Sequence, residues 1–144
     1  MFDSVLALYS RMLTSKGLTT SVTPEFLREW QDRLMFGGKL YSLIVKQNGT
    51  PVGGMLLARY GRTAEYIVGH TTDEGRTAHA GQLMLWTALL VAREQGLARF
   101  DLGGLHPTLT PPGIASFKRG LGGDPYEFAP PQRLTPGVAG YFID

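Results

Sequence analysis

Residues 40–70 read LYSLIVKQNGTPVGGMLLARYGRTAEYIVGH, and this stretch decides the fold. It contains three apolar runs with the length of β-strands, which are Leu40 to Lys46, Val52 to Tyr60 and Thr63 to His70. Asn48-Gly49, between the first two runs, is a strong hairpin signal because both residues tolerate the positive φ of a tight turn. The pattern predicts three antiparallel strands that follow one another as a meander.

The second predicted strand carries Gly53-Gly54 near its start. Glycine inside a strand marks a bulge or a place where another part of the backbone comes close. We expect one of these two features at this pair.

Two helices are predicted before the meander. The first has apolar residues at helical spacing, with Asp3 or Ser4 as its expected cap. In the second, Thr23 is the expected cap and Pro24 takes the first helical position, where its missing N–H costs nothing. Gly37-Gly38 is expected to end this helix.

A polar stretch, Thr71 to Arg76, follows the meander and leads into a long helix from about Ala78 to Gln95. The helix is apolar nearly all round, so we expect it to pack against the sheet with Trp86 in the core. A strand from Arg99 to Leu102 comes directly after it.

The last part of the chain predicts a short helix from about Ile114 to Arg119 and a final strand near Tyr126 to Phe128. The complete order is therefore α-α-β-β-β-α-β-α-β. It predicts an α/β fold in which helices flank a mixed, mostly antiparallel sheet. A length of 144 residues suits one domain, so residues 1–144 are assigned to a single domain.

The composition excludes several classes of function. The chain has no cysteine, which removes disulfide frameworks, thiolate metal sites and cysteine nucleophiles. His79 and His106 have no carboxylate at a metal-like spacing, so no metal site is assigned. The net charge of +2 is compatible with an anionic ligand and does not require nucleic acid.

The same sequence predicts where the protein acts. The first residues lack the basic region of a signal peptide, and the run from Leu83 to Ala92 is too short to cross a bilayer. We therefore expect a soluble, cytoplasmic protein without a membrane span.

The segment from Gly75 to Gly81 joins the meander to the long helix. The first turn of a helix offers unpaired N–H groups, which makes this junction a candidate anion site. It resembles the loop of GNAT acetyltransferases that reads Arg or Gln, two residues, Gly, one residue, and Gly or Ala. Arg76 and Gly81 match that pattern, whereas His79 stands where the first glycine belongs.

The resemblance implies that this loop binds the pyrophosphate of coenzyme A. The candidate binding residues are Arg76, Thr77, His79 and Gly81. A solvated helix N-terminus without a ligand is the alternative interpretation, and the sequence leaves both open.

A second resemblance rests on Phe100-Asp101-Leu102-Gly103-Gly104 and on the run from Gly113 to Gly123, GIASFKRGLGG. A strand ending in an acid and two glycines, followed by a Phe-Lys pair and a glycine-rich turn, resembles the C-terminal module of the Fem family. Those enzymes are peptidoglycan bridge aminoacyltransferases built from two GNAT-like modules.

The Fem resemblance implies a single GNAT-like fold that transfers an aminoacyl group from a charged tRNA to an amine without a metal. No cofactor is then bound permanently. Carried over from the family, Lys118 would stabilise the oxyanion and Phe117 would line the site beside the reacting ester. A fixed cation in a dry cleft is suited to that task, because acyl transfer develops negative charge on the carbonyl oxygen.

Fem enzymes have two such modules, and this chain has one. A homodimer or a second GNAT-like chain could supply the missing half, or the amine acceptor could be small. The third possibility is that the catalytic role has been lost.

Four residues have two possible roles each. Asp101 is predicted to cap the turn after its strand, with a role as general base as the alternative. His70, at the end of a strand, is a second candidate base or a structural histidine. Tyr66 is interpreted as sheet packing rather than as a donor to a leaving group. Lys118 could also be a basic residue that stabilises a helix end.

Three functions follow from these observations. The main prediction is an aminoacyltransferase of Fem type that acts on a small-molecule or peptide amine, with tRNA as a partner. The first alternative is an acyl-CoA-dependent N-acetyltransferase, and the second is a non-catalytic binding module.

Overall fold

The computed structural model describes residues 1–34, 40–108 and 110–127. The chain forms two compact units, Met1–Gly104 and Leu105–Asp144. The elements of the first unit are α1 Phe2–Lys16, α2 Pro24–Arg33, β1 Leu40–Gln47, β2 Thr50–Tyr60, β3 Thr63–Thr71, α3 Asp73–Thr77, α4 Ala80–Glu94 and β4 Arg99–Asp101. The second unit contains α5, Pro112–Arg119.

The four strands form one sheet in the order β1-β2-β3-β4. The first two pairs are antiparallel and the β3–β4 pair is parallel, which confirms the predicted meander and mixed sheet. Asn48 and Gly49 have φ values of 49° and 81°, so the predicted hairpin turn forms where two residues of positive φ are needed.

Helices cover both faces of the sheet. Side chains along β2 point alternately to one face and the other, so the strand contributes to both buried clusters. Leu56 and Ala58 point to the face covered by α1 and α2, whereas Met55 and Leu57 point to the face covered by α4. The α1 face is a buried cluster of Val5, Leu6, Tyr9, Leu27, Leu40, Leu56, Ala58 and Val68. The α4 face is a buried cluster of Met55, Leu57, Met84, Leu85 and Ala88.

Side chains of α4 and α1 lie close to the glycine pair in β2. A Cβ atom on Gly53 would lie 3.0 Å from the Met84 Cε atom of α4. On Gly54 it would lie 3.2 Å from the Val5 Cγ2 atom of α1. These neighbours are side chains and not backbone, so the expected close backbone approach does not occur. The expected bulge does, because Val45 faces Gly53 and Lys46 faces Pro51, which leaves Val52 as an extra residue.

The ends of the first two helices differ in part from the prediction. α1 begins directly after Met1, and neither Asp3 nor Ser4 caps it, so the predicted cap is wrong. Thr23 caps α2 as predicted, because its hydroxyl accepts a hydrogen bond of 3.1 Å from the Phe26 N–H. α2 ends at Arg33, before Gly37-Gly38, which lies outside the described residues.

The predicted long helix forms as α4, Ala80–Glu94. The polar stretch before it contains a helix that was not predicted, α3, which is capped by Thr72. His79 adopts a left-handed conformation with φ 54° and separates α3 from α4. The prediction for Trp86 is wrong, because 63% of this residue is exposed. Met84, Leu85 and Ala88 form the stripe that meets the sheet, and an all-apolar sequence does not reveal which stripe that is.

The final predicted strand does not form at Tyr126 or Glu127, and Phe128 lies outside the described residues. The assignment of residues 1–144 to one domain stays a prediction. Among the helices of the described ranges, none is both long and apolar enough to span a membrane.

Gly75 provides a direct test of how α3 is attached to the sheet. We expect Gly75→Ala to lower the free energy of unfolding by roughly 2 kcal/mol or more, as overpacking does. The reason is that its Cβ would lie 2.0 Å from the Val52 carbonyl oxygen, which is backbone and cannot rotate away. Chemical denaturation measures the effect.

Gly104→Ala is the matched control, since a Cβ there would have no neighbour within 4 Å. Equal stabilities of the Gly75→Ala and Gly104→Ala proteins would contradict the packing described for α3.

Candidate functional site

The two parallel strands separate soon after they meet. β3 pairs with β4 only through Thr63, Ala64 and Glu65, which face Arg99, Phe100 and Asp101. β3 then continues to Thr71, so its outer edge from Tyr66 to Thr71 has no partner strand among the described residues. An unpaired edge exposes backbone N–H and C=O groups that an extended ligand can bind. We call this segment, residues 66–71, the open edge.

A bulge lies at the beginning of the open edge. Leu56 and Leu57 of β2 face Val68 and Tyr66, which leaves Ile67 as an extra residue in β3. Ile67 and Val68 both pack on the α1 face, whereas Tyr66 packs on the α4 face. The bulge therefore changes the alternation of side chains at the point where β4 leaves β3.

The far end of the open edge is fixed to the neighbouring strand. The Thr72 N–H donates a hydrogen bond of 2.9 Å to the Val52 carbonyl oxygen of β2. The Thr72 hydroxyl accepts a hydrogen bond of 3.1 Å from the Gly75 N–H and so caps α3. The backbone and the side chain of Thr72 thus together set the path from β3 into α3.

The beginning of α4 lies beside this end of β3. A Cβ atom on Gly81 would lie 3.7 Å from the Thr71 Cγ2 atom, an ordinary contact, so packing within the protein does not require glycine there. Helix geometry leaves the N–H groups of Ala80, Gly81 and Gln82 without acceptors inside α4. Since α4 is 15 residues long, its N-terminus is suited to an anion.

The side chains of Arg76 and Thr77 are engaged within α3. The Arg76 guanidinium donates a hydrogen bond of 3.1 Å to the Thr71 carbonyl oxygen and forms an ion pair with Asp73. The Thr77 hydroxyl donates to the Asp73 carbonyl oxygen at 3.1 Å. Arg76 is more than half exposed, so it can also turn toward a ligand at this end of the sheet.

His79 also belongs to the four predicted loop residues. Its left-handed backbone favours glycine, which is the residue that the resembled loop pattern has at this position. His79 thus places a side chain in a backbone conformation that glycine adopts without strain.

His70 lies on the α1 face of the open edge and next to three cations. Burial is the largest cause that lowers its pKa below the usual 6.5, followed by Lys16, Arg76 and Arg11. Its imidazole is therefore neutral at pH 7, which is the form that accepts a proton. The structure brings His70 near Arg76, whereas Thr71, the next residue, contacts Gly81 on the α4 face.

Asp101 ends β4. Its carboxylate accepts a hydrogen bond of 2.8 Å from the Gly103 N–H, which confirms its predicted role in the turn. Its strand partner is Glu65, the last residue of β3 before the open edge. The role as general base stays a prediction.

Phe117 and Lys118 belong to the second unit, on α5. Phe117 is 39% exposed, and Lys118 is half-buried and has an interaction partner. With Arg119, Lys118 forms the basic last turn that the helix-end interpretation predicts. A groove of about 560 Å³ runs along this helix, but neither Phe117 nor Lys118 lines it.

Another groove, of about 590 Å³, lies between α1 and α2 in the first unit, and none of the predicted site residues lines it. Within the described ranges, no three histidine or acidic side chains lie close enough together to bind a metal ion.

Sequence reasoning missed the open edge and its bulge, whereas the interpretation of Tyr66 as sheet packing is confirmed. The signal for the bulge was available, because Tyr66-Ile67-Val68 is a run of three apolar residues inside an alternating strand. Two consecutive residues can lie on the same face of a strand only where a bulge inserts one extra residue relative to the partner strand. The length of the β3–β4 pairing had no comparable signal in the sequence.

Comparison with known proteins assigns the chain to a family. Residues 1–123 match the family model described as "Acetyltransferase (GNAT) domain". The chain belongs to the GNAT acetyltransferase family. The match covers both the open edge and α5, while the narrower resemblance of residues 100–123 to Fem enzymes stays a prediction.

One solved structure supports the GNAT fold. It is a ribosomal-protein-alanine N-acetyltransferase from Brucella melitensis biovar Abortus 2308, with a TM-score of 0.62 and 13% identity over 90% of this chain and 92% of that one. An acetyltransferase from Bacillus cereus ATCC 14579 also matches, at 18% identity and a TM-score of 0.39, over 56% of this chain and 64% of that one. A comparison of the sequence with curated proteins gives no match.

The environment of His70 predicts a pH dependence of stability. Because folding lowers the pKa of His70 below 6.5, the unfolded chain takes up the proton first as the pH falls. The free energy of unfolding should therefore decrease as the pH is lowered from 7 toward 5, and this part of the decrease should disappear in His70→Gln.

Urea denaturation at several pH values measures this difference, and His106→Gln serves as the control. A His70→Gln protein with the same pH dependence as the wild type would show that His70 titrates normally.

Proposed function

We propose that this GNAT domain transfers an acetyl group from acetyl-CoA to an amine. The observation that supports this donor is the position of the open edge, which leads from the bulge at Ile67 to the N-terminus of α4. An extended thioester with an anionic end matches such a site, because the edge offers backbone hydrogen bonds and the helix attracts the charge.

The pyrophosphate of the donor would bind at the first turn of α4. The N–H groups of Ala80, Gly81 and Gln82 are the donors, and Gly81 lets the phosphate approach the backbone closely. Arg76 would add a positive charge by exchanging its bond to Asp73 for one to the phosphate. The pantetheine arm would then run along the open edge and pair with its backbone.

The reaction itself needs an unprotonated amine. Its nitrogen attacks the carbonyl carbon of the thioester, the carbon–sulfur bond breaks, and the amine loses a proton while the sulfur gains one. Among the predicted residues, His70 is suited to accept the amine proton through water because it is neutral at pH 7. Asp101, at the end of β4, is the second candidate base.

Gly81→Asp tests the donor site. We expect at least a tenfold loss of affinity for acetyl-CoA, about 1.4 kcal/mol, because the carboxylate repels the phosphates. Stability should be unchanged or slightly raised, since an acidic residue in the first turn is favourable for a helix. Calorimetric titration at fixed salt measures the affinity.

Gln95→Glu is the control, because it adds the same charge at the exposed other end of α4, about 20 Å away. Equal affinities of these two variants for acetyl-CoA would contradict the site proposed at α4.

A second candidate function is aminoacyl transfer of Fem type, with a charged tRNA as the donor. The Phe117-Lys118 pair and the glycine-rich turn after it favour this candidate. In that case Lys118 would stabilise the oxyanion, and tRNA binding would weaken steeply with salt.

Lys118→Ala separates the candidates, with Arg119→Ala as its control because the neighbouring Arg119 carries the same charge. Under the Fem-type function, only Lys118→Ala should abolish transfer from charged tRNA. If acetyl-CoA is the donor, the wild-type protein should show transfer from acetyl-CoA and none from charged tRNA in the same assay. Transfer from charged tRNA by the wild-type protein would overturn acetyl-CoA as the donor.

A further inference from the structure

α4 carries apolar side chains on two opposite faces. One face is the buried stripe that meets the sheet. The other is formed by Leu83, Trp86 and Leu90, which are spaced three and four residues apart and so lie along one side of the helix. Their exposed fractions are 54%, 63% and 38%. We call these three residues the outer stripe.

The outer stripe lies in a surface without charge. From Ala80 to Ala92 the sequence reads AGQLMLWTALLVA and contains no charged residue, whereas the ten residues of α2 include five. A helix face in contact with water normally carries charged and polar side chains. Single exposed apolar residues are ordinary, but a continuous apolar patch marks a surface that another molecule covers. The outer stripe is such a patch.

The outer stripe reads the same in both directions along α4. Leu83 and Leu90 lie at equal distances from the midpoint between Trp86 and Thr87. A second α4 turned end for end would therefore place Leu83 against the partner's Leu90, and Trp86 beside the partner's Trp86. Two copies related by a two-fold axis need this self-complementarity, because each copy gives the same patch to the contact. A different partner protein would not require it.

The charges of α4 also suit a second copy. Arg93 and Glu94 lie in the last turn, so the middle of the helix can be covered without burying a charge. In the end-for-end arrangement, Glu94 lies close to the positive N-terminal end of the partner's α4. The negative end of each helix likewise meets the positive end of the other. At the rim of the contact these groups stay hydrated.

We propose that two copies of this chain associate through the outer stripe, with their α4 helices antiparallel and Trp86 next to the two-fold axis. This contact does not depend on the acetyl donor proposed above. The helix face from His79 to Glu94 is about 22 Å long and roughly 10 Å wide. Stable interfaces bury about 800 Å² per partner, so a contact centred on one helix face is a small one and the dimer is weak.

Analytical ultracentrifugation of the whole chain tests the dimer. Between about 1 μM and 0.5 mM, the range expected for a small interface, the mass should rise from that of one chain to that of two. Trp86→Gln should raise the dissociation constant at least about tenfold, because it removes the largest apolar side chain of the contact. Tyr60→Gln is the matched control, since Tyr60 is an exposed aromatic residue of β2 outside the outer stripe.

Cross-linking tests the arrangement of the two copies. The chain has no cysteine, so an introduced cysteine is the single thiol of its copy. A mixture of Leu83→Cys and Leu90→Cys proteins should form a disulfide between the two variants under mild oxidation. Leu83→Cys alone should not link to itself, because the two thiols would be about 10 Å apart along the antiparallel helices, beyond the reach of a disulfide.

Four results would overturn the proposal. The first is a wild-type chain that stays monomeric up to 0.5 mM, and the second is equal dimerisation of Trp86→Gln and Tyr60→Gln. The third is self-linking of Leu83→Cys without linking in the mixture, which indicates parallel helices. The fourth is protection of Trp86 from a soluble fluorescence quencher in the monomer, measured in Trp30→Phe so that one tryptophan remains. It would mean that another part of the same chain covers the stripe.

Discussion

The carbonyl oxygen of Val52 holds the segment between β3 and α4 to the sheet. It accepts the Thr72 N–H at 2.9 Å, and Gly75 packs against it so closely that a Cβ would lie 2.0 Å away. These contacts determine where β3 ends and where α3 begins. Because α4 follows after only two residues, its N-terminus is fixed beside the end of β3, and the candidate donor site depends on that position.

The separation of β3 from β4 provides the other half of the site. Two parallel strands that stayed paired would bury the edge of β3 in backbone hydrogen bonds. Within the described residues, β3 pairs with β4 over only three positions, which leaves the rest of that edge available, and the bulge at Ile67 marks where the available part begins. A sheet that is well packed on both faces can tolerate such an opening, since each face has its own buried cluster.

The sequence predicted the local features well because their causes are local. Asn48-Gly49 favours a turn of positive φ, so the hairpin and the meander could be inferred, and Gly53-Gly54 indicated the bulge that lies beside it in β2. Other features depend on contacts between distant segments. The buried stripe of α4 is chosen by the sheet, which is why Trp86 was misassigned, and the left-handed turn at His79 had no signal in its residue type. The extent of the β3–β4 pairing is likewise non-local, so the open edge emerged only from the structure.

The central claim is that the open edge and the N-terminus of α4 form the donor site of this GNAT domain. The most direct test is an amide NMR titration of the whole chain with acetyl-CoA. The account predicts that the largest shifts occur at the backbone amides of residues 67–71 and 80–82, with small shifts along α1 and α2. Shifts concentrated in the groove between α1 and α2, with residues 67–71 and 80–82 unchanged, would contradict it.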